Sequence, residues 1–403
     1  MSYPLFRSFF MGGFECSTQR LRSGKRLDVL AASRHDQFVR EDYRRLQAQG
    51  IHTARSGIRW HLIEPRPYQY DFSSVLPALR AAQDLNMQII WDLFHYGYPD
   101  DLDPFKPEFV RRYASMARAF AKVYAEESDL RAYFCPVNEI SFMSWAGGDV
   151  GYLNPFATGR GFELKVQLAR AAIEGIEAIW SVLPNARIVH VDPVIHIMHL
   201  PEQPEDYAVA EGHRLAQFQG WDLLSGRIWS QIGGDPRYLD IIGLNFYRNN
   251  EWFHDGETIE RGTPYYRPFR EIAREVYIRY GRPIFVAETG AEDDMRPQWL
   301  RYMIAESIAL FNEGIRLEGL CLYPILNHPG WDDDRHCHNG LWDYADENGD
   351  RPICQPFAEE LRRQQQLVAE AMERRTPQME ANGRVTVASG DKQPQKGVGD
   401  API

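Results

Sequence analysis

Short apolar runs alternate with amphipathic helical stretches along most of this chain, and that alternation limits the folds open to it. The runs "SFFMGGFE", "IHTARSGIRW", "MQIIWDLFH", "AYFCPVNEI", "ARIVHVD", "LDIIGLNFY", "PIFVAETG" and "LEGLCLYPI" read as eight strands. Between them, "RHDQFVREDYRRLQAQG" reads as a helix that stops at Gly50. The stretch 107–128 sets Phe109, Tyr113, Met116, Phe120 and Val123 on one helical stripe. Further helices are expected over "SSVLPALRAAQDLN", 162–183, a long stretch before "LDIIGLNFY", "FREIAREVYIRYG" and 299–312. Strands separated by helices of this length pair in parallel through right-handed crossovers, and eight such units close into an α/β fold of the (β/α)8 TIM-barrel type. An open doubly wound sheet is the alternative, but no Gly-rich phosphate loop follows the first strand.

The barrel is expected to be one domain over 1–375, followed by a tail over 376–403 that is rich in Gly, Pro, Gln, Asp and Lys and is expected to be mobile. With 403 residues, 44% of them hydrophobic, the chain can bury a core of that size. Its formal charge of −11 disfavours nucleic acid or an anionic membrane surface as a partner. The five cysteines, Cys16, Cys135, Cys321, Cys337 and Cys354, are odd in number and scattered, which reads as free thiols in a reducing compartment. The N-terminal "MSYPLFRSFFMGG" has too short an apolar run for a signal peptide, and no run is long enough to span a membrane. A cytoplasmic protein is expected. Its oligomeric state is open.

Why, then, does the apolar strand "PIFVAETG" end on a carboxylate, Glu288? An unpartnered buried carboxylate costs several kcal/mol to desolvate. In barrels of this kind the C-terminal strand ends open into the active site, so a charge there reads as functional. The fourth strand ends in "PVNEI", which sets Asn138 and Glu139 at the same mouth. Two carboxylates across a pocket are the equipment of glycoside hydrolysis, one as acid and base and the other as nucleophile or base. Helix caps or surface ion pairs are the plainer alternative.

Taken together, these strand ends resemble glycoside hydrolase family 1, the β-glucosidase family of retaining (β/α)8 glycosidases, over about Phe9 to Asp343. "NEI" at 138–140 resembles the acid/base motif Asn-Glu-Pro, and "AETG" at 287–290 resembles the nucleophile motif Glu-Asn-Gly. "ARSGIRWHLIEP" resembles the second-strand run and puts Arg55 on the arginine that holds the nucleophile. "WDLFHYGYPDDL" puts His95 on a sugar-binding histidine. "DIIGLNFY" puts Tyr247 on the tyrosine beside the nucleophile and Asn245 on the asparagine before it. "FFMGGFECSTQ", a looser match, puts Gln19 on a glycone-binding glutamine. The resemblance implies catalytic Glu139 and Glu288, and substrate contacts from Gln19, Arg55, His95, Asn138, Asn245, Tyr247 and Trp331. It implies a carbohydrate or glycoside ligand, no cofactor and no metal. A transglycosylase on the same site, or an inactive carbohydrate-binding barrel, are the alternatives.

The departures are also informative. "YPILNHPGW" keeps Trp331 but sets Gly330 where the family's glutamate grips the sugar's outer hydroxyls, and Tyr96, Ile140 and Thr289 replace a tryptophan, a proline and an asparagine. Simple glucosides are therefore expected to be poor substrates, and the pocket is expected to be roomier near Gly330 and less hostile to anions. The resemblance also implies a cis peptide at Tyr323-Pro324. On physical grounds Arg55 and Tyr247 should favour the ionised form of Glu288. Burial and repulsion by Glu288 should keep Glu139 protonated. Trp60, Trp91, Tyr98, Trp145, Trp252 and Trp342 are candidates for stacking on sugar or for the core. "WDDDRHCHNG" is expected to be a polar loop rather than a metal site, since adjacent residues rarely converge on one ion. His190, Asp192 and His196 are expected to be structural more than functional.

Overall fold

The structure, a computed structural model, describes residues 5–385. Eight parallel strands form one closed barrel: β1 Phe10–Gly13, β2 Thr53–Gly57, β3 Gln88–Asp92, β4 Tyr133–Cys135, β5 Arg187–Pro193, β6 Ile241–Asn245, β7 Ile284–Thr289 and β8 Leu317–Leu322. Each strand pairs with its neighbours in sequence, and β8 closes on β1 with Leu320 opposite Phe10. Because side chains alternate along a strand, one set points inward and the other outward. Met11, Ile90, Tyr133, Val189, Ile241 and Phe285 fill the barrel interior. Ile89, Phe134, Ile188, Ile242, Val286 and Leu320 face out and join the core under the helices.

The helix Pro107–Glu127 starts on a proline, whose fixed φ suits the first helical turn, and buries Phe109, Tyr113, Met116 and Phe120. The helices His35–Ala48, Leu76–Asp84, Gly161–Trp180, Phe269–Tyr280 and Met295–Asn312 occupy the other expected places. Before β6 the expected long helix is two short ones, Tyr207–Ala216 and Gln219–Leu224. Gln217 marks the break, where its side-chain amide bonds both the N–H and the carbonyl of Ile195 at 2.9 and 3.1 Å. Two small sheets were not expected from sequence: His196–Met198 with Glu251–Phe253, and His328–Pro329 with His336–Cys337. The last helix, Gln355–Val385, takes in 376–385 of the expected tail, and 386–403 lies outside the described residues.

Regular pairing of β4 stops at Cys135, because Pro136 has no N–H to give the ladder. It resumes at Asn138, which bridges to Val191 of β5 and donates its N–H to the Phe94 carbonyl at 2.9 Å. Tyr323-Pro324 is cis, as expected. All five cysteines are unpaired. Among the described residues no helix is long and apolar enough to cross a membrane.

Candidate active site

Arg55 projects from β2 into the barrel axis and is fully buried. Its guanidinium reaches Glu288 at the end of β7 (2.6 Å), Asp92 at the end of β3 through two nitrogens (3.0 and 2.8 Å) and the Asn138 side-chain oxygen (2.5 Å). A buried cation without partners would be prohibitive, and this fork of donors meets them in a way a lysine could not. Its hold on the Asn138 oxygen fixes that amide, whose NH2 then faces His95 Nε2 (3.1 Å) and the Tyr96 hydroxyl (3.0 Å). In the neutral ring Nε2 accepts from this amide and the proton sits on Nδ1, 3.0 Å from Asp92. Burial disfavours the imidazolium, but Cys16, Asp92 and Glu15 outweigh it and raise His95 well above its ordinary value, so the ring also presents positive charge to Asp92 and Glu15.

Glu139 follows Asn138 at the start of the helix Ile140–Ser144. Asn245 from the end of β6 donates to one of its oxygens at 2.8 Å, and the Tyr96 hydroxyl donates to the other. Burial, and then the nearby Glu288, push the Glu139 carboxyl up to about 8, against the pull of these two donors. Asp192, at the end of β5, accepts the Ser141 N–H (2.9 Å) and hydroxyl (3.0 Å) and so holds the first turn after Glu139 in place. Burial raises the Asp192 carboxyl itself to about 7.

Glu288 faces inward only through an irregularity in β7. Phe285 and Ala287 point into the barrel while Val286 points out, so strict alternation would aim Glu288 at the helices. The register with β6 shifts there: Leu244 lies opposite Val286, and Asn245 opposite Glu288. This bulge turns two successive side chains inward and sends Thr289 out to the Trp299 indole, 2.8 Å away. The Tyr247 hydroxyl donates to the second Glu288 oxygen at 2.9 Å. Burial pushes the Glu288 carboxyl up, while Arg55 and His95 pull it down, so the cation offsets the burial without cancelling it. Burial and the two glutamates raise the Tyr96 and Tyr247 hydroxyls well above the usual phenol range, which keeps both as donors.

Arg55, His95, Asn138, Asn245, Tyr247, Glu139 and Glu288 thus form one hydrogen-bonded cluster. Asn245 and Asn138 are spent on protein partners, although the Asn245 oxygen remains unpaired. Gln19 is fully buried, and neither amide atom has a partner among the described residues. Trp331 is part-buried and meets Tyr96 edge to face at 5.7 Å between ring centres. Sequence reasoning missed Asp92 and Glu15. Asp92 carries the same signal as Glu288, an acid inside an apolar strand run, and could have been found by it.

The space beside Gly330 is not vacant, because a Cβ there would stand 2.0 Å from the Asp333 carboxylate. The expected loss of negative charge at that edge is therefore corrected. The loop that follows is tied across the mouth: Tyr152 bonds Asp332 at 2.9 Å, Lys25 pairs with Asp334 at 2.6 Å, and Arg335 with Glu292 at 2.7 Å. Trp60, Trp91, Tyr98 and Trp342 are core, whereas Trp145 is half exposed. His336, His338 and Asp343 do come within 4.8 Å of one another, as do Cys16, Asp92 and His95, so either trio is close enough to hold an ion. In each, side chains already meet their own neighbours, His336 lying 2.6 Å from Asp343 and Cys16 3.2 Å from His95. His190 contacts the Tyr238 carbonyl at 2.9 Å, a structural contact.

No family model matches the chain, and no curated protein matches it in sequence. Among solved structures, a family 1 β-glucosidase from Thermotoga maritima superposes with a TM-score of 0.71 at 15% identity, covering 88% of this chain and 96% of that one. The same enzyme in complex with isofagomine lactam gives 0.71 at 15% identity over 89% and 98%. The AHE enzyme from Alicyclobacillus herbarius gives 0.71 at 15% identity over 93% and 99%. At that level of identity the likeness is one of fold: this chain is a (β/α)8 barrel similar to those of family 1 β-glucosidases.

Proposed function

We propose that the protein is a retaining β-glycoside hydrolase that works by double displacement and needs no cofactor. Glu288 is the nucleophile and Glu139 the acid and base. The observation that carries this reading is the unequal pair of buried carboxyls at one mouth: Glu139 is pushed up to about 8, while Glu288 is paired with Arg55. A protonated Glu139 gives its proton to the leaving oxygen as a Glu288 oxygen attacks the anomeric carbon from the opposite face, which breaks the bond to the leaving oxygen and forms a glycosyl ester of inverted configuration. Esterification removes the Glu288 charge that raised Glu139, so Glu139 becomes the better acid. It then takes a proton from water as the water oxygen attacks the anomeric carbon and the bond to Glu288 breaks, a second inversion that releases the sugar with its original configuration.

The likeness to sugar hydrolases supports a carbohydrate ligand, and the free thiols fit a reducing, cytoplasmic setting. Simple β-glucosides are poor substrates on this reading, since the family's glutamate clamp is replaced by Gly330 with the shorter Asp333 side chain beside it. A panel of aryl β-glycosides with different sugars, with the first product anomer followed by NMR, tests the proposal. Retention is expected, with the two carboxyls about 5 Å apart in a crystal structure. An inverted first product, or a separation beyond about 8 Å, overturns it. Turnover of an aryl β-glucoside with kcat/KM of about 10⁴ M⁻¹s⁻¹ or more overturns the substrate part alone.

A further inference from the structure

The loop after β1 brings an acid to the pocket that neither the mechanism nor the resemblance uses. Glu15 lies with one carboxylate oxygen 3.8 Å from His95 Nε2, the ring edge that also faces Asn138. That oxygen accepts from the Ser17 N–H at 2.9 Å and from the Ser17 hydroxyl, so the side chain is held in place. The other oxygen has no hydrogen-bond partner among the described residues. Four residues on, Gln19 is fully buried with both amide atoms unsatisfied. A buried amide that makes no hydrogen bond is costly unless a ligand completes it. The charge of Glu15 is also felt at Glu288, Tyr96, Tyr247 and Tyr323 around the pocket.

The charges around the sugar position do not balance. Glu15, Asp92 and Glu288 are acids, Arg55 divides its guanidinium between the last two, and His95, the other cation here when protonated, lies between Asp92 and Glu15. The basic residues that follow on the same loop are taken elsewhere: Arg20 and Arg26 pair with Asp100, Arg22 bonds the Gly151 carbonyl, and Lys25 pairs with Asp334. A sugar hydroxyl or ammonium can donate to the open Glu15 oxygen, but a sugar carboxylate meets a like charge, and the two cations nearby, Arg55 and His95, already face acids of the protein.

We infer that Glu15 is a specificity-determining residue of the sugar pocket, accepting hydrogen bonds from hydroxyl or amino groups of the sugar and excluding sugars that carry a carboxylate. This rests on the glycosidase reading above and deepens it. It agrees with the correction at Gly330, where Asp333 already supplies a negative charge.

The test is binding rather than turnover, by calorimetry on the full chain. The probes are deoxynojirimycin and its analogue with a carboxylate at C6, each with the wild type and with Glu15→Gln. The wild type should bind the amine at least about tenfold more tightly than the carboxylate analogue, and Glu15→Gln should shift that ratio about tenfold or more toward the analogue. A wild type that prefers the carboxylate analogue overturns the inference, whether or not the variant folds. Binding of both probes with a ratio unchanged in a folded variant also overturns it while leaving the glycosidase reading intact. Failure of the wild type to bind either probe, or any aryl β-glycoside of the panel above, overturns that reading and the inference with it.

Discussion

The Tyr96 hydroxyl donates to the Glu139 carboxylate, and both residues hold left-handed backbone, with φ of 66° and 48°. Such conformations cost a non-glycine residue about 1–3 kcal/mol each and persist where the surroundings over-determine them. Here Asn138 ties the two together through the Tyr96 hydroxyl, and Asp192 anchors the turn that follows Glu139.

Tyr96→Phe should therefore move the pH profile. The hydroxyl favours the ionised carboxylate and holds Glu139 down against burial, so its loss raises the Glu139 pKa from about 8. On the proposed mechanism activity needs Glu139 protonated, and its fall on the alkaline side should shift upward by on the order of one pH unit. A profile of kcat/KM against pH checks this. An unchanged or downward shift would show that Tyr96 does not set the acid.

The two glutamates should respond differently to azide. Glu288→Gly should lower turnover on the order of 10⁴-fold, and azide should restore cleavage of an activated glycoside to a glycosyl azide of inverted configuration. Glu139→Ala should spare the first step for substrates with good leaving groups and yield a retained azide. The reverse pattern, read by NMR of the products, would exchange the roles.

Asp92→Asn should destabilise the fold by about 3–5 kcal/mol at neutral pH, because it leaves the buried Arg55 short of an anion. Burial alone would raise the Asp92 carboxyl, but Arg55 and His95 outweigh it and hold it below 3.8. A group whose folded pKa is depressed stabilises above its unfolded value and loses that contribution as pH falls through the folded one. In urea unfolding, the gap between variant and wild type should be wide at pH 7 and close only below pH 3.8. A gap that does not depend on pH would mean Asp92 acts by packing alone.

Gly97→Ala should weaken substrate binding from a distance. A Cβ at Gly97 would lie 1.8 Å from the Thr18 hydroxyl and 2.6 Å from its carbonyl oxygen, so the loops after β1 and β3 must part. Thr18 adjoins Gln19, whose amide is then displaced from the pocket. KM should rise about tenfold with a smaller change in kcat. A variant with wild-type KM and a normal melting temperature would show that the loops yield without moving Gln19.

Much of the barrel was legible because its signals are local. Apolar runs such as "MQIIWDLFH" and the stripe Phe109, Tyr113, Met116 and Phe120 report their own burial, and they recur in the structure as β3 and the helix Pro107–Glu127. The break at Gln217 was not legible, since it depends on an amide reaching Ile195 in another element. Nor was the charge beside Gly330, because Asp333 reaches that space only through the fold of its own loop.

By itself the sequence determined eight strand and helix units, their closure into a barrel, and the positions of Glu139 and Glu288 at the ends of β4 and β7. Periodicity and turn chemistry act over a few residues, which a single sequence displays in full. Only the tertiary structure decided which way those ends face and which charges meet. The register shift opposite Asn245 turned Glu288 inward against the parity of its own strand. Pairing of β2 with β3 set Asp92 beside Arg55, and the loop after β1 set Glu15 against His95. These pairings join residues far apart in the chain, and their geometry follows from how the strands are staggered around one axis rather than from any short stretch of sequence.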